Sequence, residues 1–233
     1  MLASRGVGLG ELIEGAIHAR RRRRLQALAG PLGDFYRAGG QELLLRGAPL
    51  GPDGLVLDVG GYRGEFSAEA CWRFGARCLV VEPVPSFAEG LREKFAGNGR
   101  VRVLEAALGA AEGTLDLGLA ADGTSAFKQG AKTVSARQVD AAALVEKERP
   151  IALLKLNIEG GEYEVLERLI GAGLLGAIPS VLVQFHDVAE DSKRRRDAIR
   201  AALAGSHGEV FSYPFVWERW DLRPAPPSGQ GRT

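Results

Sequence analysis

The sequence predicts an α/β fold, a mostly parallel sheet wound on both faces by helices. Three observations carry that expectation. Residues 55–59 set one acid, Asp58, among four apolar residues, and a glycine-rich turn and an amphipathic segment follow at once. From there to about residue 205, short apolar runs alternate with helix-length segments, the pattern of repeated strand–helix units. The chain then closes on two short β-rich runs around Pro214, which read as an antiparallel hairpin at the edge of a seven-stranded sheet.

The elements follow in order. A helix is expected from about Glu11 to Ala29, stopped by Gly30-Pro31, with a second from Asp34 to Arg46. Gly47 to Gly54 is a loop into the first core strand. The turn Gly60-Gly61-Tyr62-Arg63-Gly64 leads to a helix over Glu65–Phe74. Cys78–Glu82 is the second strand, and Ser86 with Glu89 forms a capping box for the next helix. Val101–Ala106 is the third strand, Gly113–Phe127 a polar hairpin or loop, and residues 133–135 a short strand. Val139–Lys147 is helical, Ile151–Ile158 the fourth core strand, and Glu162–Ala172 an amphipathic helix. Val181–His186 is the fifth strand, Asp191–Ala204 a charged outer helix, and Val210–Tyr213 with Val216–Trp220 the closing pair. The domain organisation expected is a helical extension over 1–50, one main domain over 51–222 and a flexible tail over 223–233.

Composition narrows the function classes. In 233 residues, 45% are hydrophobic and 25% charged, ordinary for a globular protein with a sizeable core. A formal net charge of +1 gives no global field for nucleic acid, and no nucleic-acid partner is expected. Arg20, Arg21, Arg22, Arg23 and Arg24 form a run that reads as a solvated basic surface or as a contact for an anionic partner. Cys71 and Cys78 have no His or Cys cluster around them and read as idle thiols. No uncharged run reaches the roughly 20 residues of a membrane helix. The arginines follow the apolar residues at the N-terminus instead of preceding them, so no signal peptide is read and a cytoplasmic location is expected.

The candidate site residues cluster at the carboxyl ends of the expected strands, where open α/β sheets hold ligands. Asp58 ends the first strand, and Gly60, Gly61 and Gly64 leave room for a ligand near the backbone. The spacing is not that of the dinucleotide fingerprint, because Tyr62 or Arg63 falls on a required glycine in every register, which argues against a nicotinamide-dependent reductase. Glu82 ends the second strand, where a carboxylate reaches both hydroxyls of a ribose, and Pro83 keeps it extended. Glu105 and Ala106 end the third strand beside a flat slot for an adenine ring. Asn157 and Glu159 end the fourth, and His186 the fifth. His186 and Glu159 are the candidates for removing a proton from an acceptor. Glu162 reads equally as a site residue or as a cap of the following helix, and Lys155, in mid-strand, as an edge or face residue rather than a catalyst. No spacing demands a metal.

These stretches resemble the FkbM-type family of S-adenosylmethionine-dependent methyltransferases. The match rests on residues 57–67, Val81-Glu82-Pro83-Val84-Pro85, Ala107-Leu108-Gly109, Thr124-Ser125, residues 154–162 and residues 213–218. The resemblance implies the Rossmann-like class I methyltransferase fold, with S-adenosylmethionine as cofactor and methyl transfer to a hydroxyl of a sugar or natural-product-type small molecule. It places Asp58, Gly60 and Gly64 at the amino-acid end of the donor and Glu82 at its ribose. Many relatives carry Asp where this chain has Asn157, which moves the expected base to Glu159 or His186. N-methylation on the same fold and a non-catalytic module that binds the donor are the alternatives.

Overall fold

The computed structural model describes residues 24–120, 123–125 and 132–224. Arg20 to Arg23, most of the helix expected from Glu11, the end of the 113–127 segment at Phe127, and residues 225–233 of the tail lie outside the described residues. The chain forms two compact units, Met1–Arg46 and Gly47–Thr233.

In the first unit, helix α1 spans Gly30–Arg37 and α2 spans Gln41–Leu44. The expected first helix is described over residues 24–26 and ends before Gly30-Pro31, which then opens α1. Proline is tolerated in the first turn, where its missing N–H would have no partner anyway. The single helix expected over Asp34–Arg46 is broken at Gly39 and Gly40, whose φ angles of 133° and 61° leave the helical region.

The second unit is built on a seven-stranded sheet. Its strands are β1 (Leu55–Val59), β2 (Arg77–Val81), β3 (Val101–Leu104), β8 (Leu153–Leu156), β9 (Ser180–Val183), β10 (His207–Tyr213) and β11 (Trp217–Leu222), in the order β10-β11-β9-β8-β1-β2-β3. The five strands from β9 to β3 run parallel, and β11 is antiparallel to both its neighbours. Helices α3 (Glu65–Phe74) and α4 (Pro85–Lys94) follow β1 and β2; α5 (Ala141–Glu148), α6 (Glu162–Gly171) and α7 (Ser192–Leu203) belong to the second half. Alternation along β1 shows both faces covered. Leu55, Leu57 and Val59 join the main core with residues of α5, α6 and α7, whereas Asp58 points the other way, to Ser67 of α3.

Of the two readings of the 113–127 segment, its described residues form the hairpin, and with the strand expected at 133–135 it belongs to a second sheet. Strands β4 (Ala107–Gly109), β5 (Gly113–Ala120), β6 (Gly123–Ser125) and β7 (Lys132–Asp140) order as β4-β7-β5-β6. The third core strand therefore ends at Leu104 rather than Ala106, and the chain crosses to the second sheet. The capping box at Ser86 does not form: Pro85 opens the helix, and Val84 is its N-cap, without a side-chain cap. Its backbone N–H is taken instead by the Glu82 carboxylate at 3.0 Å.

Buried ions tie the edge hairpin down. Glu218 of β11 accepts from Arg196 and Arg200 of α7, and Arg200 lies 5.0 Å over the Trp220 ring. The two thiols are free, Cys78 buried and Cys71 half-buried, with sulfurs 3.6 Å apart. Among the described residues, no helix is long and apolar enough to cross a membrane.

Candidate functional site

Strand β1 pairs with β2 on one side and β8 on the other, so the chain reverses its direction of travel across the sheet there. A crevice opens at the carboxyl ends of strands at such a point. It holds a cavity of about 250 Å³. Val59, Gly60 and Tyr62 line it from β1 and its loop, Glu82, Pro83 and Phe87 from β2 and α4, and Asn157, Ile158, Glu159 and Gly161 from the loop after β8. Ala106, Ala107 and Leu108, with Leu115 and Leu117 of β5, complete the wall.

Glu82 is 4% exposed and accepts the backbone N–H of Tyr62 on one oxygen, at 2.9 Å, and that of Val84 on the other. A carboxylate has about four acceptor sites, so two remain for a ligand. Burial holds this carboxyl above the usual carboxylate range; the two N–H bonds and the Lys155 charge oppose it without cancelling it.

Asp58 stands behind the cavity wall, 0% exposed. Ser67 donates to its Oδ2 at 2.6 Å, and Lys155 Nζ lies 2.8 Å from Oδ1. That second contact is close in distance but not directed as a hydrogen bond, and it acts as an ion pair. Asp58 and Lys155 are register partners on β1 and β8, so both point to the same face. Lys155 donates to the Gly60 carbonyl at 2.7 Å and to that of Val59 at 3.4 Å, and so ties the loop to the neighbouring strand.

The loop glycines are needed for chain packing. A Cβ on Gly60 would come within 2.0 Å of the Asn157 carbonyl oxygen, on Gly61 within 2.1 Å of Val80, and on Gly64 within 2.7 Å of Leu91. Protein atoms, not an open ligand space, fill the room that these glycines leave.

On the far side, the loop after β8 carries Glu159 with φ 52°, left-handed backbone that a non-glycine residue rarely takes. The side chain of Glu159 is 33% exposed and reaches the cavity. His186 is not in the cavity lining; its Nε2 sits behind, 3.6 Å from Glu159. Glu162, 0% exposed, takes the His186 backbone N–H at 2.7 Å and faces the ring Nδ1 at 3.1 Å. Burial disfavours the charged ring, but the hydrogen bond and charge of Glu162 and the charge of Glu159 outweigh it and move His186 above its ordinary value.

Of the sequence-read residues, the fold thus brings Gly60, Glu82, Pro83, Ala106, Asn157 and Glu159 to one cavity. Asp58, Gly61, Gly64 and His186 lie behind its wall. Glu105 turns outward to Arg92, 2.7 Å away. Sequence reasoning missed Lys155 as a site-shaping group, left Glu162 between cap and site, and missed Phe87, Leu115 and Leu117 as wall. Among the described residues, no cluster of three His, Cys, Asp or Glu side chains could hold a metal ion.

The model of the methyltransferase FkbM domain matches residues 58–213. The chain belongs to the FkbM methyltransferase family. The match takes in every residue that lines the cavity, from Val59 to Gly161, and the first strand of the edge hairpin. Among solved structures, an FkbM methyltransferase from Methylobacillus flagellatus KT is similar, with 11% identity and a TM-score of 0.52 over 92% of this chain. The match spans 60% of that protein's length. The S-adenosylhomocysteine-bound Podospora anserina methyltransferase PaMTH1 aligns over 96% of this chain and all of its own, with 14% identity and a TM-score of 0.47. No curated protein sequence matches significantly.

Proposed function

We propose that this FkbM-family protein transfers a methyl group from S-adenosylmethionine to a hydroxyl of a sugar or natural-product-type small molecule. The observation that carries the reading is that Glu82, at the tip of β2, and Glu159, beyond the tip of β8, face the same cavity. When bound, the donor supplies a methyl on a sulfonium, ready for in-line displacement. The two acceptor sites left on Glu82 suit the vicinal hydroxyls of its ribose. Pro83, Phe87, Ala106 and Ala107 flank the adenine, and Gly60 and Asn157 meet the amino-acid end. Asp58 acts at one remove, through the Lys155 clamp that fixes the Gly60 carbonyl.

At the reactive end, the chain's work is alignment and proton removal. Holding an oxygen in line with the methyl, away from water, is worth several kcal/mol. Ile158, Leu115 and Leu117 supply apolar wall there, and Glu159 a carboxylate that orients a hydroxyl and accepts its proton. A neutral hydroxyl needs such an acceptor.

The test is mass spectrometry of small-molecule extracts from cells with and without the protein. The reading expects hydroxylated metabolites that gain one CH₂ only when the protein is present. No such gain, or gains confined to amines, would contradict it.

A further inference from the structure

Glu159, His186 and Glu162 lie in a line from the cavity inward. His186 Nε2 is 3.6 Å from a Glu159 oxygen, and on the other side of the ring Nδ1 is 3.1 Å from Glu162 Oε1. The inner carboxylate is fixed: Oε1 also takes the His186 backbone N–H at 2.7 Å, and Oε2 that of Gly160 at 2.8 Å. The Tyr163 hydroxyl donates to the His186 carbonyl at 2.7 Å, so the residue is held from two neighbouring positions of α6. Glu162 and Glu159 can each only accept, and the Gln184 carbonyl also bonds the ring; the closer, fixed contact of Glu162 assigns the neutral ring's proton to Nδ1 and leaves the Nε2 lone pair toward Glu159. The other charged groups nearby are Asp187, next in the chain, and Arg195 of α7, which lies 4.9 Å over the Tyr163 ring.

The geometry points to a proton relay that leads away from the cavity: Glu159 takes the acceptor's proton, His186 Nε2 takes it from Glu159, and Glu162 stabilises the resulting imidazolium. The relay rests on the methyl-transfer reading. As the oxygen–methyl bond forms and the carbon–sulfur bond breaks, its electron pair stays on sulfur. The hydroxyl proton crosses to Glu159 and then to His186, which releases it to solvent. Glu159 is then the catalytic residue, and His186 and Glu162 are positioning residues that act through it. Passing the proton inward clears Glu159 for the next turnover, and the two carboxylates beside the ring favour its protonated form.

Nitrogen-15 spectra of the whole chain, labelled at histidine, test the relay without an acceptor. Neutral His186 should be the Nδ1–H tautomer. Its midpoint should fall by about one pH unit in Glu162→Gln and by a smaller step in Glu159→Gln. An Nε2–H tautomer, or a midpoint unmoved by Glu159→Gln, would overturn the relay. Glu159→Gln decides the matter even where Glu162→Gln fails to fold, because the Glu159 side chain is one-third exposed.

Calorimetry with S-adenosylmethionine and S-adenosylhomocysteine gives the second readout, since the two differ in the sulfonium charge. Lowering the pH through the His186 midpoint adds a positive charge behind Glu159. It should weaken S-adenosylmethionine relative to S-adenosylhomocysteine roughly tenfold, and His186→Gln should abolish that dependence. A ratio that stays flat with pH in the wild type would overturn the relay. Failure to bind S-adenosylhomocysteine at all would overturn the donor reading instead, while the nitrogen-15 result still decides the relay geometry.

Discussion

Lys155 is the residue whose role the strands conceal most. It is 4% exposed in the middle of β8 and faces Asp58, itself fully buried. Burying two charges is costly, and removing one partner leaves the other without compensation. Lys155→Met should therefore destabilise the protein by about 3–5 kcal/mol, and adding Asp58→Leu should recover part of the loss. Denaturant unfolding of the single and double variants measures both; a single variant as stable as wild type would contradict the clamp. Asp58, Glu82 and His186 were legible because each breaks an apolar run at a strand's carboxyl end. Lys155 breaks its run just as visibly, but the partner that explains it comes from the register of β1 on β8, which local pattern does not fix. Glu162 stays open between cap and site because its position opens α6, and its side chain does bond the backbone N–H of Gly160. That the same carboxylate also reaches His186 depends on β9 lying beside β8.

At the scale of elements, the expectation leaves the 113–127 segment open between hairpin and loop, and the hairpin forms as part of a second sheet. Leu115, Leu117 and Leu119 recur at the two-residue spacing of a half-buried strand. The intervening Asp116 and Gly118, and the glycines on either side, leave the stretch open between a hairpin and a loop. In the fold, β5 lays Leu115 and Leu117 against the cavity, closing a wall that the core strands leave open. Leu117 is buried, so Leu117→Ala should cost about 2–5 kcal/mol and weaken S-adenosylhomocysteine binding as the wall recedes. Thermal unfolding and calorimetry on that variant read the two effects. Unchanged affinity despite lost stability would show that β5 supports the fold without shaping the site. The core strands were legible because buried parallel strands are short apolar runs, and their helices keep the 3.6-residue period. Their ends moved by a few residues, since hydrogen bonding sets where pairing stops.

For the whole molecule, the order β10-β11-β9-β8-β1-β2-β3 decides where chemistry can occur. It puts the tips of β1, β2 and β8 side by side, and so joins residues as distant in sequence as Glu82 and Glu159 across one cavity. On the proposed function, that convergence suits an adenosyl donor held at one end and reactive at the other. The most direct test is calorimetric titration of S-adenosylhomocysteine into the wild-type protein and into Glu82→Ala. Losing charge-assisted bonds to two ribose hydroxyls should weaken binding by at least about tenfold, near 1.5–3 kcal/mol. Equal affinity in the two proteins would contradict the placement of the donor on which the account rests.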